Sequence, residues 1–371
     1  MEERVKFTTQ REVLLKGIQN VQSVINTKSA LPILANILID AMDDSIILTT
    51  TDLDIGIIST LPLKPNMTGS ITIPAKKFFD IIKELPEGEV TLLLKKNNLV
   101  HIETLNCLFK IMGIPKDEYP QLPEFKNKDT LVLPQKKLKE MFSMTSFAVS
   151  HDETRYVLNG ILFIIKPAYL RLVATDGRRL AVAEFKTQLP KALERKFIIP
   201  TKTISELARL LQDEGDIKIF LGETQVAFDL GATKIVSRLI EGEFPNYEQV
   251  IPKEHKDKLG VSKEKFLAAL RRVALFTNQD SMAVRIDLGK DKIVLSKSTP
   301  YIGEVREELE ADYKGKEFSV GFNPAYIIDL LKNLREETVS FELTDPEKPG
   351  TIRSGEEYVY VVLPMQLADR V

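Results

Sequence analysis

The chain has 371 residues, 43% hydrophobic and 28% charged, with a formal charge of −2. That is an ordinary globular composition with room for two or three domains. It argues against a nucleic-acid binder driven by bulk charge, and no run nears the ~18 apolar residues of a membrane span. Cys107 is the single cysteine, so an internal disulfide is excluded and a reducing compartment is expected. The charged start MEERVKFTTQ has no apolar signal-peptide core, which adds to the expectation of a cytoplasmic location.

In the first third, Leu14, Gly17, Ile18 and Val21 share one helix face, with Thr8 or Thr9 as the expected helix start. LPILANILI (31–39) reads as an apolar strand, and 45–51 with 54–59 as a hairpin. ITIPAKKFFDIIKEL (71–85) reads as a short β-run, then Pro74, then a helix. Its Phe78, Ile81, Ile82 and Leu85 stand at the i, i+3, i+4, i+7 spacing of one apolar face. Strands at 90–94, 100–102 and 106–111 follow, and Tyr119-Pro120 closes the unit.

The polar linker Lys126-Asn127-Lys128-Asp129 introduces the second third. Pro134 suits the first turn of a helix carrying Leu138, Met141, Phe142 and Thr145. Strands are expected at 160–165, 169–175, 180–185, 217–221, 225–230 and 234–239, with Asp176-Gly177 as a hairpin turn. FIIPTKTISELARLL repeats the strand–Pro–helix element, with Ile204, Leu207, Ala208 and Leu211 on its face. Phe244-Pro245 closes this unit.

A charged linker at 253–258 leads to Ser262 and a helix with Phe266, Ala269, Leu270 and Val273 on one face. Strands at 283–288, 292–297, 302–309, 338–343 and 358–363 surround FSVGFNPAYIIDLLKNL, whose face is Ile327, Leu330, Leu331 and Leu334. Leu363-Pro364 is the third closing pair. The helix registers recur at offsets of 123 to 128 residues, against about 124 for one third of the chain. The chain therefore reads as three copies of a domain-sized unit, with domains at 1–125, 126–252 and 253–371. Many short strands with two helices per unit make the fold class α+β, helices covering antiparallel sheets.

The first helix of each unit is basic. Arg11, Lys16 and Lys28 stand against Glu12; Lys136, Lys137 and Lys139 against Glu140; and Lys263, Lys265, Arg271 and Arg272 against Glu264. Their net charges are +2, +2 and +3, which leaves −9 on the rest of the chain. Lysine-rich solvated helix faces are common, but a threefold recurrence of one sign favours a shared basic face that attracts a polyanion through its phosphates, without reading sequence.

Enzyme chemistry is not expected. The chain lacks phosphate-cradling glycine loops and nucleophile elbows. His101, His151 and His255 fall one per unit at unrelated places, and no metal or cofactor set can be assembled from them. Asp213, Glu214 and Asp216 around Gly215 read as a solvated loop.

LPILANILIDA, RYVLNGILF, RLVATDGRRLAVAE, EGEFPNYEQVIP, VGFNPAYIIDLL and YVVLPMQL, in this order along essentially the whole chain, resemble the bacterial DNA polymerase III beta-subunit family, the beta sliding clamps. The resemblance implies three DNA-clamp domains per chain and a head-to-tail homodimer forming a ring around duplex DNA, with the first-type helices lining the hole. It implies a non-catalytic processivity factor without cofactors. Its partners would be duplex DNA, the DNA polymerase III catalytic subunit, an ATP-dependent clamp-loader complex, and other polymerases and repair proteins that dock through short glutamine- and leucine-containing motifs. The competing readings are a repeated-domain interaction scaffold that does not encircle DNA, and a nucleic-acid-processing enzyme; the latter would need clustered carboxylates.

With the resemblance, the partner-peptide groove is expected to comprise Leu158, Thr175, Gly177, Arg178, Arg179, Leu180, Pro245, Gln249, Val250, Asn323, Tyr326, Val361, Val362, Leu363, Pro364, Met365, Gln366 and Leu367. Arg179 and Asn323 are expected to hydrogen-bond the peptide. Lys28, Lys136, Lys137, Arg155, Tyr156, Lys202, Arg271 and Arg272 are expected to face DNA. The dimer interface is expected at Lys77, Leu108, Phe109, Leu275, Phe276, Glu304, Glu307 and Glu308. There the acidic run through Glu310 and Asp312 would meet Lys76, Lys77, Lys95, Lys96 and Lys110 of the other copy. Departures from the family pattern are Lys28 and Gln249 where arginine is frequent, Asp152 beside Arg155-Tyr156, Gln366 for arginine, and the tail 368–371 beyond Leu367.

Overall fold

A computed structural model of the protein describes residues 3–25, 31–123, 125, 130–253 and 258–367. Lys28, the linker at 126–129, residues 254–257 of the second linker and the tail 368–371 lie outside the described residues.

Each third follows one order of elements. The first has β1 (Glu3–Gln10), α1 (Arg11–Val21), β2 (Asn36–Met42), β3 (Ser45–Thr51), β4 (Ile55–Leu61), β5 (Gly69–Pro74), α2 (Ala75–Glu84), β6 (Glu89–Lys95), β7 (Leu99–Glu103) and β8 (Leu108–Met112). The second has β9 (Thr130–Pro134), α3 (Gln135–Thr145), β10 (Gly160–Lys166), β11 (Tyr169–Thr175), β12 (Arg179–Lys186), β13 (Arg195–Pro200), α4 (Thr201–Leu210), β14 (Asp216–Leu221), β15 (Gln225–Asp229) and β16 (Thr233–Arg238). The third has β17 (Lys258–Ser262), α5 (Lys263–Ala274), β18 (Val284–Gly289), β19 (Lys292–Thr299), β20 (Gly303–Glu310), β21 (Phe318–Phe322), α6 (Pro324–Asn333), β22 (Thr338–Glu342), β23 (Gly350–Ser354) and β24 (Tyr358–Val362).

These elements gather into two compact units, Met1–Lys136 with Ser205–Leu239, and Lys137–Ile204 with Ile240–Val371. The first unit holds the eight-stranded sheet β5-β2-β3-β4-β16-β15-β14-β9 and the four-stranded sheet β1-β6-β7-β8. The second holds β13-β10-β11-β12-β24-β23-β22-β17 and β20-β19-β18-β21. Each eight-stranded sheet is two four-stranded sheets zipped edge to edge. In the first unit β4 pairs antiparallel with β16, Val236 opposite Gly56. In the second β12 pairs antiparallel with β24, Val361 opposite Leu180. The central third is divided because its strands serve both zippers.

Helix faces follow the apolar spacing. Leu14, Gly17, Ile18 and Val21 of α1 are buried, as are Leu138, Met141, Phe142 and Thr145 of α3 and Phe266, Ala269, Leu270 and Val273 of α5. Gly17 lets α1 close on the sheet, since a β-carbon there would lie 2.9 Å from Leu61 Cδ2. Ala208 of α4 is an exception: it is exposed, while Ile204, Leu207 and Leu211 carry the buried face.

Three local expectations are corrected. Pro32 cannot donate a ladder hydrogen bond, so Pro32–Ala35 forms a 3-10 turn and the strand starts at Asn36. Thr8 and Thr9 lie in β1, and α1 follows Gln10 with no side-chain cap. Ser262 does precede α5, but its hydroxyl caps nothing.

Candidate docking groove, basic helices and edge strands

In the second unit the β11–β12 hairpin is fixed by its own side chains. Thr175 Oγ1 donates to Arg179 O (2.6 Å) and accepts from the Gly177 N–H (3.0 Å). Asp176 Oδ1 accepts from the N–H groups of Arg178 (2.9 Å) and Arg179 (3.0 Å). Gly177 has φ +84, in the left-handed region that glycine takes without a Cβ penalty. The C-terminal strand zips to this hairpin, and the Leu363 N–H donates to Arg178 O (2.9 Å). Beyond it, the Met365 N–H donates to Gly321 O (2.8 Å), and Leu367 packs on Gly321.

The segment 242–251 flanks the hairpin. Arg171 of β11 donates to the Tyr247 hydroxyl (3.0 Å) and pairs with Glu184 (2.7 Å), holding the 3-10 turn Tyr247–Val250 that displays Gln249 and Val250. Burial pushes the Tyr247 phenol up, against the pull of Arg171. The structure thus assembles Gly177, Arg178, Pro245, Gln249, Val250, Leu363 and Gln366 as exposed groups. Beneath them Leu158, Leu180, Val361 and Val362 are buried, and Thr175, Tyr326, Pro364, Met365 and Leu367 are half-buried. The result is a buried apolar floor under a mixed surface, in which apolar Pro245, Val250 and Leu363 stand beside polar Arg178, Gln249 and Gln366.

Two of the expected peptide contacts have partners within the chain. Arg179 has a side chain only 10% exposed and pairs through Nε with Asp176 at 3.0 Å and through Nη1 with Asp329 at 2.8 Å. It also stacks on the Tyr326 ring (4.5 Å) and lies 5.7 Å from the Phe147 ring. Asn323 is buried and caps α6 by accepting from the Ala325 N–H (3.0 Å). Both are supports of the groove. Asp329 and Phe147 are supports that sequence reading missed: Asp329 lies 150 residues from Arg179, beyond any local pattern.

The basic residues differ in exposure and in their neighbours. Lys136, Lys202 and Arg271 are exposed. Lys137 pairs with Glu357 (2.9 Å) and lies over the Phe185 ring (5.2 Å). Arg272 pairs with Glu307, Nε to Oε2 at 3.0 Å. Arg155 sits beside the hairpin, donating to Asp176 O (2.9 Å) and to the Asp152 carboxylate (3.1 Å). Hydrogen bonds from Thr154, then from Arg155, hold the Asp152 carboxyl below the usual carboxylate range. Tyr156 is exposed, near Gly242. Arg11 and Lys263 act as helix caps, donating to Ile82 O (3.0 Å) and Leu334 O (3.0 Å) at the ends of α2 and α6.

β8 and β20 are two of the eight outer strands of the four sheets. Among the described residues, β8 pairs only with β7 and β20 only with β19. Leu108, Phe109 and Met112 of β8 are 53%, 38% and 60% exposed, close to apolar Leu105 at 97%. In the second unit Leu275 is 76% exposed, Phe276 is half-buried, and Tyr301 and Ile302 are exposed. Lys77 and Glu304 are exposed. Much of the acidic run has basic partners of its own. Glu307 pairs with Arg272, Glu308 with Lys292 (3.1 Å), Glu310 with Lys265 (3.8 Å) and Asp312 with Lys314 (3.7 Å), all within the chain.

Among the described residues, no cluster of His, Cys, Asp and Glu could hold a metal ion, and no helix is long and apolar enough to cross a membrane. Three family models match: DNA polymerase III beta subunit, N-terminal domain over residues 5–123, central domain over 132–246 and C-terminal domain over 248–366. The beta sliding clamp of Chlamydia pneumoniae is 33% identical, over 98% of this chain and 100% of its own length. The sliding clamp structure from Bacillus subtilis is 31% identical with a TM-score of 0.94, covering 98% of this chain and 100% of that one. The Bartonella birtlesii clamp, solved bound to griselimycin, is 33% identical with the same TM-score and coverage. The threefold element order, the zipped sheets and these matches over the whole length agree: the chain belongs to the bacterial DNA polymerase III beta-subunit family and is a DNA sliding clamp, a non-catalytic replication factor.

Proposed function

We propose that two copies of this chain close head to tail into a ring around duplex DNA, tethering polymerases there. The carrying observation is the rule by which the strands zip. The fourth strand of one third pairs with the eighth strand of the next, β4 with β16 and β12 with β24. The same rule leaves β20 and β8 as the complementary pair, and a second copy supplies each with its partner in a contact that closes. The exposed apolar groups by β8 and at Leu275, Tyr301 and Ile302 support that pairing. Three domains at 1–125, 126–252 and 253–371 each supply eight strands and two helices.

Lys136, Lys202 and Arg271 are the principal phosphate contacts, acting without sequence preference. The groove around Gly177, Val250, Leu363 and Met365 takes short glutamine- and leucine-containing motifs of the DNA polymerase III catalytic subunit, the clamp loader, other polymerases and repair proteins. Each gains effective concentration at the primer end from the tether. The protein acts in the cytoplasm. Sedimentation with circular and linearised DNA tests the ring: retention on circles and loss from linear ends is expected. Equal retention on both, or on neither, favours a scaffold that does not encircle DNA.

A further inference from the structure

The first unit contains a counterpart of the groove. In the β3–β4 hairpin, Thr51 Oγ1 donates to Ile55 O (2.9 Å) and accepts from the Leu53 N–H (3.0 Å). Asp52 Oδ1 accepts from the N–H groups of Asp54 (3.0 Å) and Ile55 (2.9 Å). This repeats the Thr175–Asp176 turn bond for bond. The zipped strand matches as well: the Arg238 N–H donates to Asp54 O (2.8 Å), as that of Leu363 does to Arg178 O. The flanking segment after Tyr119-Pro120 corresponds to the one after Phe244-Pro245.

Here a cavity of about 260 Å³ opens. Ile55, Gly56, Leu122 and Val236 give it an apolar lining, and Gln225 and Arg238 add polar groups. Gly56 stands where the second unit has Leu180, and Leu122 packs directly on it. At the same cavity is Leu53, with φ +83 and 43% exposure, in the place of Gly177. Leucine rarely adopts this conformation, which glycine and asparagine take at little cost. An exposed apolar side chain held in a strained backbone does nothing for the turn that glycine would not do. Such strain at the wall of an apolar cavity marks a contact made with something else.

We infer that this cavity is a second peptide-docking site on the chain, seating one large apolar side chain, leucine or phenylalanine, of an extended segment. The inference rests on the peptide reading of the second unit's groove, of which this is the structural repeat. The volume lies below the roughly 300–1,000 Å³ of small-molecule pockets, so it suits one or two side chains rather than a whole motif. Leu53 packs on the bound side chain. Arg238, only loosely paired with Asp54 at 3.9 Å, meets a carbonyl or carboxylate of the peptide.

The test uses the full-length protein and a blocked peptide containing glutamine and photoreactive leucine, with adducts located by mass spectrometry. Adducts are expected at both 51–56 or 120–123 and the second unit's groove. In Leu53→Asn, which relieves the strained φ and keeps the fold, the first-unit yield is expected to drop about tenfold while second-unit adducts persist, since a leucine's burial carries at least that factor. Adducts confined to the second unit overturn this site alone, and adducts in neither groove overturn the peptide reading with it. A first-unit yield that survives Leu53→Asn also overturns the proposal.

Discussion

Replacing Arg179 with Met keeps the stem volume and removes the charge between Asp176 and Asp329. Their side chains are 16% and 33% exposed, against 10% for Arg179. Removing one partner of a fully buried pair costs ~3–5 kcal/mol, whereas exposed pairs are worth ~0–1. With carboxylates that keep some water, and with the stacking on Tyr326 lost as well, Arg179→Met should destabilise the second unit by about 2–3 kcal/mol. At a slope of roughly 2–3 kcal/mol/M in urea, that moves the midpoint down by about 1 M. Hydrogen exchange of β12, β24 and α6 during urea unfolding reads this unit without assuming that the whole chain is two-state. Adding Asp329→Asn should cost less than the two single changes summed, because the partners share one interaction. Peptide affinity below the transition should stay within about threefold, ~0.6 kcal/mol, because the guanidinium is already engaged. Unchanged stability with affinity lost by about tenfold or more would refute this reasoning and make Arg179 a peptide contact.

Leu275→Asp with Phe276→Ala should give monomers by sedimentation, whereas neutralising Glu308 should barely shift the dimer constant, because its ion pair lies within the chain; a dimer that persists at low concentration would place the interface elsewhere. Converting Lys136 and Arg271 to Gln should reduce the salt dependence of DNA retention by about 0.9 per lost phosphate contact, without sequence preference, and an unchanged slope would remove them from the DNA face. Lys297 is 8% exposed and donates to the neutral Ser281 hydroxyl (2.6 Å) and Ala283 O (2.9 Å), and burial lowers its pKa below the ordinary 10.5. The unfolded chain then holds the proton more tightly, and stability should rise as pH climbs from the lowered value towards 10.5 and be lost on the way back down. Lys297→Met should flatten that rise in thermal midpoints measured across alkaline pH.

The sequence carried the repeat because its signals are local. Apolar spacing marked the buried faces of α1, α3, α5 and α6 residue by residue, and the Asp176-Gly177 pair marked a turn whose hydrogen bonds all close within five residues. Local signals faded in the strand opening each third: β9 and β17 have five residues each, and β1, though eight residues long, has only Val5 and Phe7 as apolar positions. Pro32 broke a run whose apolar content alone suggested a strand.

Tertiary structure alone decided which charged groups remain available. Lys137 finds Glu357 220 residues away, Arg179 finds Asp329 across 150, and Arg272 finds Glu307 across 35. No periodicity encodes such pairs, because they depend on which sheet edges zip together. The zippers β4–β16 and β12–β24 are backbone pairings that place little demand on side-chain identity, so the sequence leaves them unmarked. Composition set how many basic groups the first helices carry; the sheet edges set which of them are neutralised by neighbours and which still face solvent.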